Sequence, residues 1–182
     1  MNTIIIVILS IVGALLIIAL LVYLIGNVYK GLVNRKQVMN HSYNELCKYL
    51  DKLFDLIPGV FQNCELNQDQ ETRLKDIFDS YNNMRKDITP SQYCTLFLLL
   101  KDLLQELQDT NIDNEALDYA LEILKRTNFS VPLYNSNVKA FNKFKHLPIN
   151  NIVSKMLKYD DGLLFRKDIT HSTTTINFKF EK

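Results

Sequence analysis

An uncharged apolar run near the start of this chain of 182 residues limits the folds open to it more than any other feature. The run starts at Ile4 and ends at Ile25, and no charged side chain precedes Lys30. A helix of about 22 residues is about 33 Å long, which matches a hydrocarbon core about 30 Å thick. A buried helix of a soluble protein rarely runs so long, and a signal peptide usually has positive charge before a shorter apolar region. We therefore expect residues 1–29 to form an uncleaved membrane anchor.

The charges that flank the run predict its orientation. Only the α-amino group lies before it, whereas Lys30, Arg35 and Lys36 follow closely. Because positive charge accumulates on the cytoplasmic side, we expect the N-terminus outside and the domain of residues 30–165 in the cytoplasm. The three cysteines are an odd number without CxxC spacing, which favours reduced thiols over a disulfide framework.

Apolar residues after the anchor recur every three or four positions, which is typical of helices packed in a bundle. The pattern predicts helices over residues 28–61, 69–86, 91–108, 115–126, 134–145 and 151–157. Because proline cannot donate a helical hydrogen bond, Pro58 is expected to kink or end the first of these helices. Pro132 and Pro148 are expected to interrupt the chain before the last two.

The final residues have a different pattern. Apolar and polar side chains alternate over residues 173–180, which suits a short strand or an extended segment more than a helix. Residues 166–182 are therefore expected to form an extended C-terminal tail. The predicted fold class is all-α, with an N-terminal transmembrane helix followed by an antiparallel helical bundle that has a long first helix.

Charge is distributed in three blocks with net values of +3 over residues 30–44, −9 over residues 45–124 and +7 over residues 125–182. Acidic and basic helices of one bundle that face each other would explain this distribution. A basic face close to anionic lipid headgroups would also explain it. Because no dense polybasic cluster is present, we favour the first explanation. The diluted basic residues also argue against nucleic-acid binding.

Motifs that carry chemistry are missing from the sequence. The histidines His41, His146 and His171 have no cysteine or glutamate at metal-ligand spacing. Five glycines form no phosphate-binding loop, and no G-x-S-x-G nucleophile motif occurs. The carboxylates of Asp160 and Asp161 adjoin in polar surroundings that give no reason for a raised pKa. We therefore predict a non-enzymatic protein with no catalytic, cofactor-binding or metal-binding residues.

Two stretches share residues and spacing with one protein family. They comprise Asp55, Leu56, Ile57 and Pro58, and later Tyr134, Asn135, Val138, Phe141, Asn142 and Pro148. Together they resemble the LemA family, whose members have a short outer N-terminus, one span and a cytoplasmic helical bundle. The family usually has Tyr-Asn just after the span, where this chain has Tyr29-Lys30. The resemblance therefore implies a divergent member.

The resemblance also implies a function. LemA-type proteins have no established catalytic activity, and some are linked to the organisation of bacterial membranes. We therefore expect a scaffold or adaptor that contacts the lipid bilayer from Ile4 to Ile25 and binds protein partners. The alternatives are a regulatory or sensory membrane subunit that binds a small ligand in its bundle and a membrane-bound hydrolase. Tyr134, Asn135 and Asn142 are expected to be structural, because a tyrosine ring packs while amides satisfy backbone groups at helix breaks.

Overall fold

A computed structural model describes residues 2–85, 88–109 and 115–166 of the chain. In these ranges it contains six helices: α1 (Asn2–Asp55), α2 (Ile57–Asn63), α3 (Gln68–Met84), α4 (Pro90–Asp109), α5 (Glu115–Lys145) and α6 (Pro148–Met156). The all-α class is confirmed for this part of the chain, as is the long first helix. The extended segment predicted over residues 173–180 lies outside the described residues.

Helix α1 contains the whole apolar run that the structure describes and continues beyond it without a break. The large apolar side chains of the run are between 38% (Leu24) and 67% (Leu16) exposed. Burial begins only afterwards in the same helix, at Leu32, which is fully buried. By its length and composition, α1 can cross a membrane.

Two compact units divide the chain. The first unit comprises residues 1–42 and 136–162, and the second unit comprises residues 43–135 and 163–182. The two long helices, α1 and α5, contribute residues to both units.

In the first unit, the last turns of α5 pack along α1, and later residues of α5 lie beside earlier residues of α1. The Phe144 ring lies against Gly31, where an added Cβ would come within 2.8 Å of the ring. Three residues earlier, the Phe141 ring lies 5.3 Å from the Lys36 ammonium group. Val138 and Met39 are both buried and both contact Gly162. Helix α6 follows α5 after a link of two residues.

In the second unit, α3 packs against both α2 and α4. A capping box starts α3: Asn67 Oδ1 accepts a hydrogen bond from the Gln70 N–H at 2.9 Å, and Gln70 Oε1 accepts one from the Asn67 N–H at 3.1 Å. The core of this unit is built mainly from leucines and aromatic rings. Its fully buried members include Leu46, Leu50, Phe54, Leu74, Tyr81, Leu100 and Leu103.

The proline positions test the sequence-based helix boundaries. The first helix ends at Asp55, and Pro58 stands in the opening turn of α2, where its missing N–H costs no hydrogen bond. The interruption expected at Pro132 is wrong, because α5 runs through this residue. Pro132 and Asn128 are both exposed, so water can reach the side of the helix where the Asn128 carbonyl loses its partner. The sixth helix begins at Pro148, earlier than expected.

Candidate functional site

Asn142 is the family-motif residue that the first unit uses to hold an extended segment. Its side-chain amide donates to the Gly162 carbonyl at 2.9 Å and accepts from the Gly162 N–H at 2.8 Å. One amide therefore satisfies both backbone groups of a residue that lies outside any helix. The side chain of Asn142, which projects from α5, thus makes the pair of backbone hydrogen bonds that a neighbouring β-strand would make.

The position of Gly162 explains why a glycine is suited to this place. A Cβ there would lie 2.5 Å from Met39 Sδ and 3.2 Å from Val138 Cγ1. Earlier in the same segment, the Tyr159 ring lies 6.3 Å from the Phe141 ring, and the Lys36 ammonium group lies within 6 Å of both rings. Segment 159–162 is therefore held by a cation–π contact, by packing and by the Asn142 amide.

Asn135 repeats this arrangement in the second unit. Its amide donates to the Phe165 carbonyl at 3.1 Å and accepts from the Phe165 N–H at 2.8 Å. Its neighbour Tyr134 donates from its hydroxyl to the Leu163 carbonyl at 2.6 Å. Phe165 is buried, with its ring 6.1 Å from the Phe97 ring in an edge contact. Tyr134 and Asn135 thus fix segment 163–165 within this unit.

These contacts give the late motif a consistent local role. Each amide bonds to the backbone of a non-helical residue that follows 20 or 30 positions later in the chain. We expected such amides to act at helix breaks, but α5 is continuous through both asparagines. The partners are instead residues after α6. Val138 and Phe141 are fully buried, whereas Phe144 is half-buried.

The other motif residues lie at helix ends. Asp55 is the last residue of α1 and forms an exposed ion pair with Arg85 at 3.8 Å. Leu56 is the half-buried turn residue between α1 and α2, and Ile57 is buried at the start of α2. Pro148, like Pro58, is exposed in the first turn of its helix. The early and late parts of the motif therefore include residues that delimit helices.

The second unit also contains a polar cluster that the sequence analysis did not identify. Asp51, half-buried on α1, accepts hydrogen bonds from the Tyr81 hydroxyl at 2.7 Å and from the Tyr93 hydroxyl at 2.5 Å. Both tyrosines are buried, and Phe54 stacks on the Tyr81 ring at 4.3 Å. One carboxylate of α1 is thus joined to α3 and α4.

Burial raises the pKa of four tyrosines in this unit. Burial, followed by the hydrogen bond to Asp51, raises the pKa of both Tyr81 and Tyr93. Burial likewise raises the pKa of Tyr43, and it raises the pKa of Tyr134 to about 12. At neutral pH these phenols are protonated, so they act as hydrogen-bond donors.

A signal for the Asp51 cluster was present in the sequence. Asp51 adjoins the apolar stripe that contains Leu50 and Leu53, so partial burial of its carboxylate would cost free energy unless polar partners were available. Tyr81 follows Leu74 and Ile77 at helical spacing, and a buried tyrosine usually finds a hydrogen-bond partner for its hydroxyl. Pairing the two would have required knowing which helices are neighbours.

A basic depression lies beside α6 in the first unit. It has a volume of about 560 Å³, is open to solvent, and is lined by Lys145, His146, Asn151, Lys155, Lys158, Tyr159 and Asp160. Next to it, Asp161 pairs with Lys145 at 2.6 Å and with His146 at 3.1 Å. The Lys145 hydrogen bond contributes most to lowering the pKa of Asp161. Two of the depression's basic groups are therefore partly neutralised.

The described residues also include histidine, cysteine and acidic side chains, the types that bind metals or act as nucleophiles. In those ranges, no group of three histidine, cysteine, aspartate or glutamate side chains is close enough to hold a metal ion. Cys47, Cys64 and Cys94 are thiols that are not joined in a disulfide, and burial raises the pKa of Cys47 and Cys64. The chain matches no protein-family model, no curated protein and no solved structure.

Proposed function

We propose that this protein is a divergent LemA-type scaffold or adaptor, anchored by the N-terminal part of α1, that binds protein partners and catalyses no reaction. The exposed apolar run of α1 supports the anchor, because lipid can cover side chains that the protein itself leaves exposed. The positive residues that follow the run support an N-terminus outside and a helical bundle in the cytoplasm. The contacts of Tyr134, Asn135 and Asn142 support a structural role for the late motif.

The observation that supports partner binding is an exposed apolar stripe on α5 in the second unit. Phe129 is 78% exposed and Leu133 is 55% exposed, and they lie one helical turn apart. Tyr119, which is 47% exposed, lies on the same side of α5 three turns before Phe129, and the ion pair between Glu122 and Arg126 stands between them. An aromatic anchor among charged groups is typical of protein interfaces.

A positive charge introduced beside the stripe or within it tests this surface. Full-length protein is purified from membranes in mild detergent, and the co-purified proteins are compared among wild type, Phe129→Lys and Asn128→Lys. Both variants gain the same charge on the exposed side of α5, but only Phe129→Lys removes the aromatic anchor. We expect Phe129→Lys to lose specific partners that Asn128→Lys retains. Equal recovery of every co-purified protein in the three samples would contradict the proposal.

A further inference from the structure

Helix α6 has an unusual distribution of side chains. Its outward face is apolar: Ile149, Ile152 and Met156 are 52%, 64% and 77% exposed. These positions are spaced by three and four residues, so they form one stripe along the helix. An amphipathic helix on a water-exposed surface normally turns such a stripe inward.

Polar contacts fix α6 in this orientation. Its inward residues include Asn150 and Ser154, which are 5% and 0% exposed. The Asn150 side chain donates to the Phe144 carbonyl at 2.8 Å, and the Ser154 hydroxyl donates to the Asn151 carbonyl at 2.9 Å. The Ser154 bond lies within α6, but the Asn150 bond joins α6 to α5, so turning α6 over would leave the buried Asn150 amide without this acceptor. The apolar stripe is therefore held on the outside.

Contacts in the first unit also show which residues of α1 lie near the start of α6. The Phe144 ring packs against Gly31 and lies 4.5 Å from the Arg35 guanidinium group. Gly31 follows the last residue of the apolar run, Ile25, by six positions, which is about 9 Å along a helix. Helix α6 begins four residues after Phe144. The polar headgroup layer of a bilayer extends roughly 5–8 Å beyond its hydrocarbon core, so α6 begins close to that layer.

The charge around α6 completes the pattern. Residues 143–158 contain four lysines and one histidine but no acidic residue. Lys145 and His146 pair with Asp161, whereas Lys143, Lys155 and Lys158 form no ion pair within the described ranges. Cationic side chains near an anionic membrane surface each contribute about a fivefold preference for it. The apolar stripe is therefore flanked by groups that attract anionic headgroups.

We propose that α6 is an interfacial helix that lies in the headgroup layer of the bilayer crossed by α1. Ile149, Ile152 and Met156 insert between lipids, and Lys155 and Lys158 contact anionic phosphates. This inference rests on the proposed membrane anchor. The occupant of the stripe is a lipid surface, because the stripe lies in the same unit as the apolar run and combines apolar with basic groups.

Single tryptophans can test the location of α6, because the chain contains no tryptophan. Full-length Ile152→Trp, Val22→Trp and Asn40→Trp are reconstituted in vesicles of phosphatidylcholine and phosphatidylglycerol, and quenching by brominated phosphatidylcholine is measured. Val22 lies in the apolar run, and Asn40 is an exposed residue of α1 about 22 Å beyond Ile25. We expect strong quenching at residue 22, clear quenching by shallow bromines at residue 152, and none at residue 40.

The controls separate failure of this inference from failure of the anchor. Quenching at residue 22 without quenching at residue 152 would overturn the interfacial helix and leave the anchor intact. Absence of quenching at residue 22 would overturn both.

Charge provides a second arm of the test. In the Ile152→Trp protein, adding Lys155→Gln and Lys158→Gln should lower the insertion equilibrium about 30-fold, from the fivefold preference of each cation. Both lysines are exposed, so the fold should be unaffected. Insertion that is equal with and without these lysines, in the same anionic vesicles, would contradict the part assigned to lysine.

Discussion

The two units of this protein differ in the sign of their charge. The first unit contains eight basic and two acidic side chains, and the second contains 13 basic and 18 acidic side chains. The chain-wide net charge of +1 conceals net charges of +6 and −5. The basic unit is the one that contains the apolar run, which is the arrangement expected for a protein whose basic part adjoins anionic lipid.

The units also differ in what they bury. The second unit encloses aromatic rings around the Asp51 carboxylate. The first unit leaves the apolar run exposed. On α6, Asn150 and Ser154 lie on the buried side, whereas Ile152 is exposed. We therefore propose different environments for the exposed apolar side chains of the two units: lipid in the first unit and, at Phe129, a protein partner in the second.

The largest effect is expected from truncating a core phenylalanine of the first unit. Phe141 is fully buried, whereas Phe129, in the second unit, is exposed on the same helix. Phe141→Ala should lower the free energy of unfolding by about 3–5 kcal/mol, because it leaves a cavity. Phe129→Ala, the same chemical change, should alter it by less than about 0.5 kcal/mol.

Chemical denaturation of the full chain in detergent, followed by circular dichroism, measures both variants. The two variants are matched, since each removes one phenyl ring from α5 and gains the helix propensity of alanine. An unchanged unfolding free energy in Phe141→Ala would remove this residue from the core of the first unit. A large loss in Phe129→Ala would mean that its stripe is an internal contact.

Local patterns in the sequence were sufficient for much of the fold. The three- and four-residue spacing of apolar side chains located α3 and α4 to within two residues at each end. The same reasoning was wrong at Pro132, because a helix tolerates proline where tertiary packing holds the turns on both sides. Buried Thr127 and Tyr134 supply that packing around the exposed proline. Packing of this kind cannot be read from a local pattern.

A smaller effect is expected from the carboxylate in the second unit. Asp51→Ala leaves the buried hydroxyls of Tyr81 and Tyr93 without their acceptor, at a cost of about 2–3 kcal/mol. Asp51→Asn keeps one oxygen in place and should cost about half as much. Denaturation under the conditions described for Phe141 measures both. Equal stability of Asp51→Ala and wild type would contradict the hydrogen-bonded cluster.

The same cluster predicts a loss of stability in alkali. Burial raises the pKa of Tyr81 and Tyr93, so the folded chain holds their phenol protons more tightly than the unfolded chain does. The stabilisation of the folded state by these protonated phenols is fully present below about pH 10, the ordinary tyrosine pKa. It is lost as the pH rises above that value. Combining Tyr81→Phe with Tyr93→Phe should flatten the dependence of stability on pH in that range. An equally steep dependence in that variant would assign the alkaline loss to other groups.

The candidate site was only partly predictable from the sequence. The amides of Asn135 and Asn142 were expected to satisfy backbone groups, and they bond to backbone groups in the structure. Tyr134 was expected to pack its ring, and its hydroxyl also bonds to a backbone carbonyl. Their partners, in segment 162–165, follow 20 to 30 residues later and after another helix. No spacing rule specifies contacts at such separations, because they depend on how the helices pack.

The two asparagines of the motif allow the smallest and most direct comparison between the units. Asn135 and Asn142 make the same pair of hydrogen bonds, to Phe165 and to Gly162. Phe165 is 2% exposed, whereas Gly162 is half-buried, so water can replace the lost bonds more readily in the first unit. We expect Asn135→Ala to cost about 2 kcal/mol and Asn142→Ala about 1 kcal/mol.

Alanine also raises helix propensity, so a control must isolate the hydrogen bonds. Asn137 lies between the two asparagines on α5 and is not joined to segment 162–165 by a hydrogen bond in the described residues. Asn137→Ala therefore reports the propensity gain alone, about 0.5 kcal/mol in favour of folding. Subtracting that gain from the changes at 135 and 142, all measured by denaturant titration, gives the contribution of each amide pair. Equal corrected losses of unfolding free energy at Asn135 and Asn142 would mean that the backbone groups of residues 162 and 165 are equally shielded from water. That result would contradict the difference in burial between the two units at these positions.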